Sequence, residues 1–432
     1  MGSDYEEVES FNSEPCTLSE FFEWLEGSLQ FLTGLVDPKE FELTLEEIRI
    51  PLFVVGTPGI GKTGGIISTI DKINKLLDER GMSDKHLGFK KIQLGQKVVG
   101  ALDGIPVVLD GEVKTMTIDE LPHEEKDGKY GVLFLDELTT VDEQQMQPAL
   151  GLADDSRSIG AYKLPENWLV VAAGNGPDCT NFIRADDAML TRFQIFEIAY
   201  DYHSDWRPWA HDNGVDGDII AFLNFKPELI ARVESSDTDK AGKLAPNPRT
   251  WTQLNSALKA RRGMRRGQNM SPEDIGKIAS RFVGKNVARE FASFLRFKDT
   301  VKYDPAKIFK GTEKDPELMQ KQEFHILLEA CVSYAKKMFK DDKEKNGKIS
   351  ESSIDQYVNY LKWLFKMDAF DTENVLNGIY ELMGSVSETR EVMSSPKFLE
   401  RCPEFREFIR NHASLLKNNI DFLNKLHNIN SN

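Results

Sequence analysis

The chain has 432 residues and a formal net charge of −16, with 40% hydrophobic and 29% charged residues. This length has room for about two to four domains, and the composition is that of an ordinary soluble protein. The negative charge argues against non-specific DNA binding by the whole surface. No stretch approaches the roughly 18 apolar residues that a membrane-spanning helix needs.

The cysteines and the N-terminus indicate a cytoplasmic location. The four cysteines, Cys16, Cys179, Cys331 and Cys402, lie far apart and include no C-x-x-C pair. We interpret them as reduced structural thiols, which disfavours a zinc site or a disulfide framework. The acidic N-terminus lacks the basic and apolar regions of a secretory signal.

Residues 1–45 predict a disordered stretch followed by one helix. The first 15 or so residues are polar and are expected to be disordered. Thr17 and Glu20 then have the spacing of a capping box, which starts a helix. That helix is expected to bury four apolar residues beside the first strand: Phe21, Leu25, Leu29 and Leu32.

The strongest motif of the chain is a phosphate-binding loop. It matches G-x-x-x-x-G-K-[ST] in full, over Gly56, Thr57, Pro58, Gly59, Ile60, Gly61, Lys62 and Thr63. A short strand is predicted before it, at 50–55, and an amphipathic helix after it, at 66–77. Lys62 would reach the β- and γ-phosphates, and the Thr63 hydroxyl would bind Mg²⁺. This context disfavours the alternative, a glycine-rich turn that matches by chance.

Strands and hairpins are predicted to follow in alternation with helices. A second strand is predicted at 91–94. Residues 104–113 predict a β-hairpin around Asp110 and Gly111, inserted into the strand–helix alternation. A helix at 142–153 and a second hairpin at 160–168 are predicted further along the chain, and a fifth strand at 194–198.

Two carboxylates follow a buried strand that is predicted at 132–135. Four consecutive apolar residues are typical of a strand that is buried on both faces. Asp136 and Glu137 would then lie at its carboxyl end, where open α/β sheets bind ligands. Asp136 would hold Mg²⁺ through water, and Glu137 would act as general base. The alternative is a strand followed by an Asp-Glu helix cap, which the phosphate-binding loop upstream disfavours.

The strand predicted at 169–173 ends in a polar tip at Asn175. From there Asn175 could hydrogen-bond a γ-phosphate or the attacking water. The alternative for Asn175, a turn former before glycine, is strong when the local sequence is taken alone. Arg192 lies just before the fifth predicted strand, and Arg249 lies in the sequence Pro-Arg-Thr-Trp.

Taken in order, these features resemble the AAA+ ATPases, and the two hairpins are similar to the MoxR-type, dynein-related branch. The resemblance covers about residues 45 to 297. Its most specific phrases are 131–138, 164–168, 206–210 and 221–229. It implies a five-stranded parallel α/β core at 46–200, a helical lid at 201–301 and a separate α-helical extension at 302–432. It also implies a ring, usually a hexamer, with both hairpins facing the ring axis.

The resemblance assigns roles to four polar residues and implies the cofactors ATP and Mg²⁺. Asn175 matches the sensor-1 position, and Arg249 matches sensor 2 on the lid. Arg192 is the candidate arginine finger, acting on the nucleotide of a neighbouring subunit, with Arg184 as the second choice. A cation there is apt because charge develops on the transferred phosphoryl group. Family members often work with a protein that carries a von Willebrand A domain.

The remaining segments give no second catalytic motif. Arg261, Arg262, Arg265 and Arg266 form a basic cluster, which we interpret as a solvated helix end rather than a nucleic-acid site. Two helical stripes, at 324–338 and 354–365, predict a small bundle. Residues 342–353 mimic an EF-hand loop, but Ser353 replaces the glutamate that completes Ca²⁺ coordination. We therefore predict a polar loop between two helices.

Three functions follow from these observations. The first is an ATP-hydrolysing motor that remodels or activates a partner protein. The second is a nucleotide-gated scaffold with negligible turnover. The third is the motor subunit of a restriction-like complex acting on nucleic acid, which the acidic charge disfavours. The preference for ATP over GTP comes from the resemblance alone.

Overall fold

The computed structural model divides into two compact units. The first is Met1–Asp205 with Val233–Gly242, and the second is Trp206–Arg232 with Lys243–Asn432. The residues that it describes are 13–97, 102, 104–109, 112–116, 118–141, 143–176, 191–231, 244–264, 270–368, 371–393 and 395–412. The predicted domain boundaries after residues 45, 200 and 301 stay predictions.

The first unit alternates strands and helices. Its strands are β1 (Leu52–Val55), β2 (Leu87–Gln93), β3 (Ile105–Leu109), β4 (Glu112–Met116), β5 (Tyr130–Asp136), β6 (Ser158–Ile159), β7 (Tyr162–Lys163), β8 (Asn167–Gly174) and β9 (Gln194–Glu197). Its α-helices are α1 (Leu18–Thr33), α2 (Leu45–Ile48), α3 (Lys62–Glu79), α4 (Glu124–Asp127) and α5 (Glu143–Ala153).

Five of these strands form one parallel sheet in the order β2-β5-β8-β1-β9, which confirms the predicted α/β core. Successive side chains of a strand point to opposite faces. Val132 and Phe134 accordingly enter the core that α1 and α3 cover, while Leu133 and Leu135 enter the core on the other face. All carboxyl ends lie at one edge, which is where β1 delivers the phosphate-binding loop.

Helix α1 begins and packs as its sequence predicts. Thr17 Oγ1 accepts from Glu20 N at 3.1 Å, and Glu20 Oε2 accepts from Thr17 N at 2.6 Å. The four predicted apolar residues are buried. They share one core with side chains of β1, as predicted. The chain just before α1 pairs with the end of β9, since Cys16 N donates to Glu197 O at 2.9 Å.

Several predicted strand boundaries were wrong. The second strand begins at Leu87 rather than at residue 91, because β2 is an edge strand whose central side chains stay partly exposed and lack an apolar run. The first strand begins at Leu52 rather than at residue 50. The second hairpin pairs Ser158 with Lys163, so it ends before residue 168. Trp168 belongs to β8 instead. It is fully buried against Gly131, whose lack of a side chain leaves room for the indole ring.

The other hairpin lies where it is predicted. Strands β3 and β4 pair antiparallel, with Ile105 opposite Met116 and Leu109 opposite Glu112. The predicted turn at Asp110 and Gly111 falls outside the described residues. The orientation of either hairpin towards a ring axis stays a prediction.

The second unit is helical throughout its described part, as predicted for the C-terminal region. Its α-helices are α6 (Arg207–Asp212), α7 (Gly217–Phe225), α8 (Pro248–Met264), α9 (Pro272–Ala279), α10 (Lys285–Leu295), α11 (Pro305–Phe309), α12 (Lys321–Asn346), α13 (Glu351–Phe365), α14 (Thr372–Ser385), α15 (Ser387–Met393), α16 (Pro396–Arg401) and α17 (Pro403–Asn411). The two predicted stripes lie on α12 and α13 and meet in one core.

The segment that mimics an EF-hand is a helix end followed by a short turn. The predicted polar loop between two helices is present but shorter than residues 342–353, because α12 continues to Asn346 and stops at Gly347, which has a φ of 68°. Asp342 accepts from Asn346 Nδ2 and from Ser350 N, both at 2.6 Å. These bonds fix the helix end and use the carboxylate that would otherwise start a Ca²⁺ loop.

The described residues contain neither a membrane-spanning helix nor a metal-binding cluster of side chains. None of the helices in that part of the chain is both long enough and apolar enough to cross a membrane. Nor does that part contain a group of three or more His, Cys, Asp or Glu side chains that could hold a metal ion.

Candidate functional site

The phosphate-binding loop connects the carboxyl end of β1 to the first residue of α3. Gly56 N donates to Gly174 O at 3.2 Å, which ties the start of the loop to the neighbouring strand β8. Gly59 and Gly61 have φ angles of 85° and 106°, a backbone region that favours glycine. Because α3 starts at Lys62, the loop places a helix N-terminus at the ligand-binding edge of the sheet.

The start of α3 fits a phosphate group. Among the residues that the structure describes, no side chain caps its first turn, and helix N-termini attract anions through their N–H groups and dipole. Among the described residues, a Cβ atom added at Gly61 or Gly64 would meet nothing within 4 Å, so there is open space beside these two positions. Lys62 Nζ donates to Gly56 O at 2.6 Å and to Thr57 O at 3.3 Å. The ammonium group therefore already lies over the loop, and a phosphate would exchange with these carbonyls.

Asp136 and Glu137 both have specific partners on β2, which pairs with β5. Lys91 Nζ lies 2.7 Å from Asp136 Oδ2, and this ion pair is partly exposed. Gln93 Nε2 donates to Glu137 Oε1 at 3.2 Å. Lys91 and Gln93 are two residues apart, so their side chains lie on the same face of β2. The side chains that contact the two predicted catalytic carboxylates therefore project from one face of β2.

The backbone at Glu137 takes a conformation that is rare for a residue with a side chain. Its φ is 64°, in the left-handed region, and such strain clusters at functional sites. Three interactions fix this turn. Thr140 N and Oγ1 donate to Glu137 O at 3.1 and 2.8 Å, and Glu137 N donates to Asp136 Oδ1 at 3.1 Å. The turn directs the carboxylate towards Gly95, where an added Cβ would lie 2.5 Å from Glu137 Oε2.

Asn175 is joined to the segment that follows Glu137 by a reciprocal pair of hydrogen bonds. Asn175 N donates to Thr139 Oγ1 at 2.8 Å, and Thr139 Oγ1 donates to Asn175 O at 3.2 Å. Thr139 is fully buried. The backbone of Asn175 is thereby fixed beside the carboxylate turn, and its side-chain amide is not used in this contact.

The structure does not bring Arg192 to the phosphate-binding loop of its own chain. Arg192 precedes β9, whose first residue pairs with Leu52 at the amino end of β1, whereas the loop leaves the carboxyl end. The four residues of β1 separate its two ends by about 13 Å. Arg192 Nη2 lies 3.5 Å from Asp154 Oδ2, and the Arg192 side chain is 30% exposed. Arg184, the second choice, lies outside the described residues.

The second unit contains the remaining predicted residues. Arg249 is exposed in the first turn of α8, where Asn247 Oδ1 accepts from Thr250 N at 3.0 Å and fixes the helix start. Arg262 pairs with Asp216 and lies 3.6 Å from Asp218. This basic residue is therefore neutralised within the chain, while Arg265 and Arg266 lie outside the described residues.

Sequence reasoning missed four residues of this site: Lys91, Gln93, Gly95 and Thr139. None of them belongs to a recognised phosphate-binding pattern. The available signal was the polar alternation of Lys91 and Gln93 on a strand that precedes a glycine. It becomes informative only when β2 is known to pair with the strand that carries the carboxylates.

The geometry fits Mg²⁺ bound together with a nucleotide. Mg²⁺ is usually held by one or two protein oxygen ligands, waters and the substrate phosphates rather than by a complete protein cage. Thr63, in the first turn of α3, and Asp136 belong to the same sheet edge, because β1 and β5 are separated only by β8. The site can therefore bind a phosphate chain, share a divalent cation and present a carboxylate to water.

Comparisons with known proteins yield only distant structural likenesses. No protein-family model and no curated protein matches the sequence. A point mutant of RuvB from Thermotoga maritima aligns at 12% identity and a TM-score of 0.32, over 69% of this chain and 79% of RuvB. PCH-2 from C. elegans aligns at 11% and 0.26, over 55% and 56% of the two chains. An MCM homolog from Methanopyrus kandleri aligns at 17% and 0.24, over 65% and 63%.

All three of these proteins are AAA+ ATPases. With TM-scores of 0.24 to 0.32, these likenesses are not evidence for the fold or the function of this chain. The fold assignment rests on the parallel sheet and on the phosphate-binding loop at its carboxyl edge.

Proposed function

We propose that the chain is a Mg²⁺-dependent ATP hydrolase of the AAA+ type, from the MoxR-like branch. The proposal rests on two features that lie at the same edge of the sheet. They are a phosphate-binding loop at the start of α3, which no described side chain caps, and the Asp136–Glu137 turn at the end of a nearby strand. A phosphate loop and an acidic strand end are the recurring parts of phosphoryl-transfer enzymes.

Each residue of this edge has a distinct task. Gly56–Thr63 binds the phosphate chain, and Lys62 moves from the loop carbonyls to the phosphate oxygens. Thr63 and Asp136 hold Mg²⁺, which neutralises charge on the transferred group. Glu137 orients the attacking water and accepts its proton. Asn175 contacts the γ-phosphate or that water with its side-chain amide.

The motor function requires more than one subunit. Arg192 lies at the opposite edge of the sheet from its own loop and is partly exposed, which supports a role on a neighbouring subunit's nucleotide. Arg249 on α8 senses the γ-phosphate, so that hydrolysis moves the helical lid. We infer a cytoplasmic ring, hexameric by resemblance, that remodels or activates a protein client such as one with a von Willebrand A domain.

A nucleotide-gated scaffold is the second candidate. The observation that favours it is that both carboxylates already have partners on β2: Lys91 pairs with Asp136, and Gln93 with Glu137. If these contacts persist with ATP bound, Mg²⁺ binding and water activation are both impaired. ATP would then control assembly without measurable turnover.

Steady-state ATP hydrolysis and oligomer mass together separate the two candidates. Wild type and Glu137→Gln are compared with and without nucleotide. A motor hydrolyses ATP, while Glu137→Gln loses turnover by about a hundredfold or more and accumulates as an ATP-bound oligomer. A scaffold shows the nucleotide-dependent mass change in both proteins without turnover. Absence of both effects would reject both candidates for the isolated chain.

A further inference from the structure

Thr139 carries a hydroxyl group that is buried and uses its hydrogen bonds on a single residue. It lies two positions after Glu137, in the short 3₁₀ segment Leu138–Thr140, and is 0% exposed. Its Oγ1 accepts from Asn175 N at 2.8 Å and donates to Asn175 O at 3.2 Å. A hydroxyl can accept and donate at the same time, so serine could replace these two bonds, whereas valine could replace neither.

The chain on either side of Thr139 is fixed as well. Leu138 and Val141 are 0% and 2% exposed and belong to the core on one face of the sheet. Thr140 N and Oγ1 both donate to Glu137 O, at 3.1 and 2.8 Å, which closes the turn. A shift of Thr139 would therefore be passed to the backbone of Glu137.

The tip of β8 approaches Thr139 as closely as a glycine allows. A Cβ atom added at Gly174 would lie 2.7 Å from Thr139 Cγ2 and 2.8 Å from Thr139 Oγ1. On its other side, Gly174 O accepts from Gly56 N, the first residue of the phosphate-binding loop, at 3.2 Å. One strand tip thus contacts the start of that loop and the turn that carries Glu137.

We propose that Thr139 is a positioning residue of the hydrolysis site, whose hydroxyl sets the place of Asn175 relative to Glu137. This inference rests on the proposed function, in which Glu137 orients the attacking water and the Asn175 amide contacts the γ-phosphate or that water. Thr139 is buried and touches neither. Because it binds only the backbone of Asn175, the side-chain amide stays free for the ligand. A misplacement of about 1 Å at such a site can cost roughly a hundredfold in rate.

The kinetic test removes this hydroxyl with little change in shape. Thr139→Val should lower the turnover of ATP about tenfold or more and change KM about threefold or less, because the phosphate-binding loop is intact. Thr33→Val is the matched control. Thr33 is also 0% exposed and lies in the same unit, but its hydroxyl donates to Leu29 O at 2.8 Å within α1, so turnover should stay that of wild type.

A second pair of variants keeps the test decisive if Thr139→Val does not fold. Thr139→Ser and Thr139→Ala differ only by the hydroxyl oxygen. The serine variant should hydrolyse ATP within about threefold of wild type, and the alanine variant should be about tenfold slower than the serine variant. Equal turnover in these two variants would overturn the proposal, as would an equal loss in Thr33→Val and Thr139→Val.

Hydrogen exchange of the Asn175 backbone amide tests the same contact without nucleotide. The amide is followed by NMR in protein labelled with ¹⁵N-asparagine, and its signal is identified by its loss in Asn175→Gln. Exchange should be about tenfold faster in Thr139→Ala than in Thr139→Ser. If wild type hydrolyses no ATP, the proposed function fails and these exchange rates still decide whether Thr139 fixes Asn175. Equal exchange in the two variants would overturn the inference in either case.

Discussion

Two ion pairs, one in each unit, differ sharply in how far they are buried. In the first unit, the Lys91–Asp136 pair lies at the sheet edge with its side chains 34% and 19% exposed. In the second unit, Arg207 and Glu381 pair with side chains only 7% and 6% exposed. An exposed pair exchanges partners cheaply, whereas a buried pair cannot lose one member without leaving an uncompensated charge. The first arrangement suits a site that binds and releases a cation, and the second suits a fixed scaffold.

The largest expected effect comes from breaking the buried pair. Arg207→Met leaves Glu381 buried without its cation, and we expect a loss of about 3–5 kcal/mol in the free energy of unfolding. Lys91→Met should cost about 1 kcal/mol or less. Chemical denaturation of both variants measures the difference. The double variant Arg207→Met with Glu381→Leu should recover most of the loss, and a double variant as unstable as the single one would contradict this explanation.

A smaller effect is expected from the pH dependence of His211. Burial lowers its folded pKa to about 3, below the ordinary value of 6.5, so the unfolded state binds more protons between these values. Stability from His211 is present above pH 6.5 and is lost as the pH falls. Between about pH 7 and pH 5 the loss is roughly 2 kcal/mol. Wild type should therefore lose this much more than His211→Gln over that range.

Glu329 should show the opposite trend. Because burial raises the pKa of Glu329 in the folded state, its contribution to stability is present at low pH and is lost as the pH rises. Glu329→Gln should gain stability over wild type as the pH increases. Unfolding curves at several pH values measure both variants. Parallel curves for wild type and both variants would show that neither group is buried in the folded state.

Two adjacent glycines at the start of α3 give a matched pair in the first unit. A Cβ atom at Gly65 would lie 1.8 Å from Phe22 Cζ, whereas a Cβ atom at Gly64 would meet no described atom within 4 Å. Gly65→Ala should destabilise by about 1–2 kcal/mol, because the Phe22 ring must move. Gly64→Ala should stabilise by about 0.5–1 kcal/mol through helix propensity. Denaturation without nucleotide checks the sign of each, and equal effects would refute the close packing of α1 on α3.

Gly95 tests whether Glu137 must keep its position. The added methyl of Gly95→Ala would lie 2.5 Å from Glu137 Oε2, so we expect about a tenfold loss of ATP turnover, or roughly 1.4 kcal/mol, with ATP binding retained. Gly176→Ala is the control, since its Cβ would approach only Val55 Cγ1, at 4.0 Å, among the residues that the structure describes. Unchanged turnover in Gly95→Ala would mean that the contact between Gly95 and Glu137 does not position the carboxylate.

The smallest expected effect concerns the Mg²⁺ requirement. Lys91 competes with a cation for Asp136, so Lys91→Met should lower the Mg²⁺ concentration for half-maximal ATP binding by about fivefold or less. Lys90→Met is the matched control, because Lys90 is the neighbouring lysine of β2 and pairs instead with Asp127 at 2.9 Å. If both variants shift the Mg²⁺ requirement equally, the effect is one of general charge and not of the Asp136 contact.

The sequence predicts the parts of the fold that depend on local chemistry. The capping box at Thr17, the phosphate-binding loop and the apolar run before Asp136 each follow from neighbouring residues, and the structure shows each of them. Which strands pair is not a local property. The start of β2 was missed because an edge strand does not need an apolar run. The contacts that Lys91 and Gln93 of β2 make with Asp136 and Glu137 were missed for the same reason.

Buried charges were the second class of residues that the sequence could not reveal. Arg207, Glu329 and Glu381 occur on helices with ordinary amphipathic patterns, and charged residues at such positions are usually exposed. Their burial follows from how α6, α12 and α14 pack, which involves residues more than a hundred positions apart. The length of the loop at 342–353 was missed for a related reason, since helix α12 continues through about the first half of that segment.

The most direct test of the central claim measures ATP binding and ATP cleavage in the same sample. Wild type, Lys62→Ala and Glu137→Gln are each mixed with labelled ATP and Mg²⁺, and the bound nucleotide is recovered and analysed. We predict bound ADP in wild type, intact bound ATP in Glu137→Gln and little bound nucleotide in Lys62→Ala. Equal cleavage by wild type and Glu137→Gln, or equal binding by wild type and Lys62→Ala, would contradict the assignment of this sheet edge as the hydrolysis site.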